Sequence, residues 1–291
     1  MKKIYLLLAV ATVSLFAFSA CNKRGGDTPG DKEIVMKDGP SKQEAKVVKF
    51  KNNLPKYKDP NGSYEITKME FTEGKMLLLE RRVVASKADV GDIINQVFSF
   101  SGTGGNYDVI GFGTVTISGS SVTVNFYNGG ESGSFEATIT PTTTSTVAEN
   151  NFARSWKINN IVLSVSGKGV SIMKSFNGCN LEEIGKYAAD NGVSGLKDRL
   201  PELMGYNVEH VIFTGADSFI VTFTGANAIA GTFKLSGSDK LNYSFPVNNP
   251  FFHGSANGTF EFPADQKVTV TLNADIEGYS GSIEMSMTAS Y

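Results

Sequence analysis

Thiols and imidazoles are scarce in this chain, carboxylates are plentiful but no pair stands out, and spacing limits what each group can do. Among 291 residues there are two cysteines, Cys21 and Cys179, and two histidines, His210 and His253. Such poverty in cysteine leaves no disulfide framework. Cys179 stands in Asn177-Gly178-Cys179-Asn180, just ahead of a helical pattern. A thiol at a helix N-terminus can be acidified into a nucleophile, but neither histidine lies near it in sequence, so a buried structural cysteine is expected. Val208, His210 and Ile212 share one face of an alternating run, which makes His210 a strand histidine rather than a ligand. His253 follows Phe251-Phe252 in an expected loop between Pro250 and Gly254. Neither histidine has a second histidine, a cysteine or an acidic cluster at ligand spacing, so no metal and no cofactor is expected. Glu182 and Glu183 are adjacent acids at a helix start, where acids are favoured in any case. No Gly-x-Ser-x-Gly elbow is present. Gly102-x-Gly104-Gly105 and Gly111-Phe112-Gly113 precede strand patterns, so no helix N-terminus would face a phosphate. No catalytic residue emerges, and an enzyme is not expected. What remains is aromatic surface. Tyr127, Tyr206, Phe251, Phe252 and Tyr279 fall in or beside expected turns, where they either stack on a ligand or cover the ends of a core.

The elements that position these residues are mainly β. From Ser63 onward the hydrophobic period is two, as in Val122-Thr123-Val124-Asn125-Phe126, Phe219-Ile220-Val221-Thr222-Phe223 and Ile283-Glu284-Met285-Ser286-Met287. Alternation of this kind belongs to antiparallel sheets with one face on a core. Clusters such as Ser118-Gly119-Ser120-Ser121 separate the runs at hairpin spacing, which points to barrels or sandwiches. The polar stretch 141–151 reads as a linker between a first β domain, 61–140, and a second, 152–291. An internal repeat supports that division. Phe71-Thr72 matches Phe213-Thr214, Gly113 to Ser120 matches Gly231 to Ser238, and Gly133-Ser134-Phe135-Glu136 matches Gly258-Thr259-Phe260-Glu261. One segment departs from the β rule. Leu181, Ile184, Tyr187 and Ala188 recur at helical spacing behind Asn180 as N-cap, and Gly192 follows as a stop. With a second short helix interrupted by Pro201, this makes a helical insertion over 180–204 that covers one end of a barrel.

The N-terminus has a different character. Lys2 and Lys3 precede an apolar run, Ile4 to Phe18, too short for a durable membrane span, and the run closes on Phe18-Ser19-Ala20-Cys21. This arrangement resembles the lipobox of bacterial lipoproteins. The resemblance implies that residues 1–20 are a signal peptide and that Cys21 becomes the lipidated N-terminus, carrying acyl chains such as palmitate. Several chains suffice for stable attachment, since each buried methylene contributes about 0.8 kcal/mol. Asn22 replaces the Asp of the familiar inner-membrane retention signal, which favours the outer membrane of a Gram-negative cell. Residues 21–60 read as a polar, basic tether with lysines at 42, 46, 49, 51, 56 and 58, either a basic stalk at an anionic lipid surface or a solvated linker with one short strand at Val47 to Phe50. Loss of the signal removes Lys2 and Lys3 and no acid, taking the formal charge from −2 to −4. That balance lacks the basic excess of a nucleic-acid binder.

Trp156 early in a strand, the helical insertion, and the repeated Phe-Thr and Gly-Thr-Phe-x-Leu-x-Gly hairpins together resemble the lipocalin-like domains of uncharacterised bacterial lipoproteins. The resemblance covers 152–291 and, through the repeat, 60–140. It implies two tandem lipocalin-like barrels and carries no assigned chemistry. The expectation is therefore a lipid-anchored cell-envelope module, partnered with the membrane through Cys21, that binds a small apolar ligand, a glycan or a peptide. A structural or adhesive subunit assembling through β edges is the alternative, and a glycan hydrolase stands behind both.

Overall fold

A computed structural model describes residues 34–37, 39, 41–86, 93–142, 147–193, 197–236, 242–249, 252–276 and 279–290. The expected signal peptide 1–20, the lipidation site Cys21 and Phe251 lie outside the described residues. Phe252, His253 and Tyr279 are described by backbone alone.

The first half forms a closed antiparallel barrel whose eight staves are built from nine strand segments. The strands are β1 (Ala45–Phe50), β2 (Lys56–Asp59), β3 (Gly62–Thr72), β4 (Met76–Ser86), β5 (Ile93–Thr103), β6 (Asn106–Val109), β7 (Gly113–Ser118), β8 (Ser121–Phe126) and β9 (Gly133–Pro141). Sequential neighbours pair from β3 to β9, and β1 closes the ring by pairing with both β3 and β9. β2 continues β1 along the same side of β3 after a break at Lys51–Pro55, so the two pieces act as one split strand. Period-two alternation turns Val48, Ile66, Leu77, Leu79, Phe100, Val115 and Val124 into one shared core. Side chains fill this interior, with Phe71 stacked on Tyr107 at 4.3 Å and set edge-on to Phe100 at 5.3 Å.

This arrangement corrects the tether expected over 21–60. Residues 45–59 build the barrel, and residues 34–37 dock on the second unit. Lys49, Lys56 and Lys58 are the outward positions of a strand whose inward positions carry Val48, Phe50 and Tyr57. Lys46 reaches the Tyr107 hydroxyl at 3.3 Å. Asn151 holds the leading segment by accepting from the Met36 amide at 2.9 Å and donating to the Ile34 carbonyl at 2.6 Å. The linker expected over 141–151 also contains structure, the short helix α1 (Val147–Phe152). Phe152 is buried, stacked on Phe213 at 4.0 Å and on Phe260 at 4.2 Å.

The second half is one large antiparallel sheet. It comprises β10 (Ser155–Gly167), β11 (Val170–Asn177), β12 (Asn207–Phe213), β13 (Ser218–Thr224), β14 (Ala226–Thr232), β15 (Lys234–Ser236), β16 (Asn242–Asn249), β17 (Phe252–Ala264), β18 (Lys267–Ile276) and β19 (Tyr279–Ala289). Its order is β14-β13-β12-β10-β19-β18-β17-β16-β15, with β11 paired to β10 off that path. His253 thus sits in β17 rather than in a loop. Trp156 is buried in this core and donates its indole N–H to the Phe152 carbonyl at 3.0 Å.

Within the insertion expected over 180–204 lie α2 (Leu181–Asp190) and a 3₁₀ turn (Lys197–Leu203) that contains Pro201. Leu181, Ile184 and Ala188 bury one stripe of α2 in the second core. The Asn180 side chain accepts from the Glu183 amide at 3.1 Å, satisfying an N-terminal donor.

The two halves pack on each other. Leu78 of β4 meets Ile212 and Ile220 from outside the second core, joined by Met76, Val97, Ala228 and Ala230. Beside this apolar contact lies Glu70, fully buried, accepting from the Thr214 hydroxyl at 2.5 Å and the Ser218 hydroxyl at 2.7 Å. The Lys68 ammonium stands 3.5 Å from the same carboxylate.

Candidate functional site

The only exposed aromatic ring that combines a free face with a polar neighbour lies, among the described residues, at one end of the barrel. Three turns meet there: Asp59–Gly62 between β2 and β3, Val109–Gly113 between β6 and β7, and 126–133 between β8 and β9. The turns are built for close approach. A Cβ on Gly113 would stand 2.2 Å from the Asn125 carbonyl oxygen, and one on Gly129 would stand 2.0 Å from that of Lys58. Gly111 and Gly113 were expected to serve a turn rather than a phosphate, and both sit in the hairpin turn between β6 and β7.

Asp59 organises the floor of this end. Its Oδ1 accepts from the Asn61 and Gly62 amides at 2.7 and 3.1 Å, and its Oδ2 accepts from Arg81 Nη1 at 2.8 Å. The Arg81 guanidinium lies 3.9 Å from the centre of the Tyr64 ring. Tyr57 stacks between Tyr64 at 6.5 Å and Phe126 at 5.7 Å, and tilts over Phe112 at 5.5 Å. Burial pushes both phenols above the ordinary tyrosine range, with Asp59 raising them further and Arg81 opposing it. Both therefore remain protonated donors at neutral pH. Asp59 has both oxygens engaged, so this floor is a polar plug of the barrel and not a catalytic dyad.

The rim above it carries Ile110, 66% exposed, and Tyr127, 52% exposed. The Tyr127 amide donates to the Phe112 carbonyl at 3.0 Å, which ties rim to floor. Its hydroxyl donates to Asp108 Oδ1 at 2.5 Å, and that bond is the main reason its pKa lies above the usual tyrosine value. The hydrogen bond fixes the ring while leaving its face in water. Such a surface suits a ligand with an apolar face and a hydroxylated edge.

The other sequence candidates are dispersed. Tyr206 covers a core end, edge-on to Phe223 at 5.5 Å. Glu182 and Glu183 occupy the first turn of α2. Cys179 is buried and unpaired by any disulfide, and burial pushes its thiol well above the ordinary range, the reverse of an activated nucleophile. The face expected to join Val208, His210 and Ile212 is broken by a bulge between Val208 and His210. Val208 turns into the second core with Val211 and Phe213, while Ile212 packs toward the barrel. Among the described residues no group of three or more His, Cys, Asp and Glu gathers as a metal site.

Sequence reasoning overlooked Asp59, Arg81, Tyr57 and Ile110. A signal for Arg81 exists, because it shares inward parity with Leu77, Leu79 and Val83 on an otherwise apolar face of β4. Asp59 opens the turn Asp59-Pro60-Asn61-Gly62, but nothing local announces that one carboxylate serves both a turn and an arginine across the sheet. No protein-family model matches the chain, and no curated protein or solved structure is significantly similar to it.

Proposed function

We propose that this chain is a lipid-anchored binding module of the cell envelope that takes a glycan at the rim of its first barrel. Export, acylation of Cys21 and residence at the outer membrane belong to this reading, as does a tandem lipocalin-like relation between the two halves. The filled barrel interior directs the ligand to the outside of the barrel end. The observation that carries the proposal is Tyr127, held by Asp108 and half exposed at the same barrel end as exposed Ile110. A sugar ring would lay its C–H face on this pair and offer a hydroxyl to Asp108. Single exposed apolar residues are ordinary, so the weight rests on the conjunction of two with a fixed carboxylate.

Glycan-array binding followed by titration tests the site. Tyr127→Ala and Ile110→Ser should each weaken the selected glycan at least tenfold with an unchanged circular dichroism spectrum. Binding that survives both substitutions would refute the rim as the site. For the anchor, the wild-type chain should fractionate with membranes and Cys21→Ser should appear in the soluble fraction.

A further inference from the structure

We infer that β11 is a self-association edge, through which two copies of the chain pair antiparallel about a two-fold axis at Met173. This inference is independent of the barrel rim. Among the described residues β11 pairs with β10 alone, so its second edge faces outward. Natural sheets defend such edges with proline, bulges, short length, charged side chains or a covering helix or loop. β11 has no proline and no bulge. It runs eight residues in unbroken register from Asn160↔Asn177 to Gly167↔Val170, held by a tight turn at Lys168-Gly169 with φ of 48° and 81°. Its one charge, Lys174, points inward as an edge-guarding lysine would, but the ammonium is already engaged by aromatic rings of its own chain, 4.9 Å from that of Phe176 and 4.5 Å from that of Tyr187.

The solvent face of β11 presents Ser171, Met173, Ser175 and Asn177, all exposed and uncharged. Met173, at 73%, is the most exposed large apolar side chain among the described residues. The occupant is a second copy because this face reads the same in both directions. Antiparallel pairing centred on Met173 sets Met173 against Met173 of the other copy and Ser171 against Ser175. On the inner face it sets Val170 against Phe176 and the Lys174 stem against Ile172. No like charges oppose each other in that register. The pairing is isologous and therefore closes as a dimer, in contrast to the open fibre of an adhesive subunit.

Directly opposed residues in an antiparallel pair have Cα atoms roughly 4.5–5.5 Å apart, within disulfide reach. The test uses the full chain carrying Cys21→Ser, which removes a competing thiol. Under mild oxidation, Met173→Cys should cross-link to itself at least tenfold faster than Ser101→Cys, an exposed control on β5. A mixture of Ser171→Cys and Ser175→Cys should form the mixed dimer in preference to either self-dimer. Sedimentation should show a dimer for the parent chain and a monomer for Met173→Lys, with both retaining the same circular dichroism spectrum. Cross-linking of Met173→Cys no faster than the control, or a parent chain that sediments as a monomer at tens of micromolar, would overturn the inference.

Discussion

Thr72 and Thr214 show how far one residue type can be read. They stand in the Phe-Thr pair that repeats along the chain, and each hydroxyl accepts from the amide four residues on, Met76 at 3.2 Å and Ser218 at 3.3 Å. Lys75 and Asp217 then take the same left-handed conformation, at φ of 59° and 58°. A local motif of Thr, two intervening residues and a left-handed position thus builds the same turn twice, because its hydrogen bonds lie within five residues. Cys179 was legible for the opposite reason, as an isolated thiol without a nearby base. Its thiol should resist labelling at pH 8 in native protein and react fully in denaturant, as a colorimetric thiol assay would show. Burial raises its folded pKa, so the neutral form is favoured in the fold. The associated stability is complete below the ordinary thiol pKa of about 8.5 and is lost as pH rises beyond it. Urea midpoints measured from pH 7 to pH 10 should therefore fall more steeply for the parent chain than for Cys179→Ala.

At the scale of elements, periodicity revealed strands and the helix but not every boundary. α2 was legible because its apolar stripe, N-cap and stop are all local. Asn180→Ala should cost about 1 kcal/mol, the usual effect of losing such a cap, and lower the melting temperature by a few degrees. An unchanged melting curve would show that the second core alone holds the helix. Within the expected tether only a short strand at Val47 to Phe50 was legible, because the lysines of β1 mask the rest of its alternation. Lys46 points inward like Val48, yet its stem is apolar and its ammonium escapes to the Tyr107 hydroxyl. Only the closed ring makes that position tolerable. Likewise the bulge beside His210 reversed an expected face, since one extra residue in a strand flips all that follows it.

For the whole molecule the decisive group is Glu70. Its buried carboxylate joins Lys68 of its own strand to Thr214 and Ser218 of the other half. Breaking a buried charge pair typically costs about 3–5 kcal/mol because the remaining partner is left uncompensated. The parent chain should unfold in one calorimetric transition, and Glu70→Ala should lower it and resolve two. Two transitions already present in the parent chain would show that the interface does not couple the halves. The local pattern of side chains determined that this protein is mainly β, that it divides near residue 150, and that a helical insertion interrupts its second half. Those properties depend on hydrogen bonds and hydrophobic alternation over a few residues. Tertiary structure alone decided that β1 closes a barrel, that Arg81 meets Asp59 inside it, and that Glu70 locks two sheets together. Each of those contacts joins residues tens to more than a hundred positions apart, and no local spacing encodes which pairs will meet once loop entropy and core packing have been balanced.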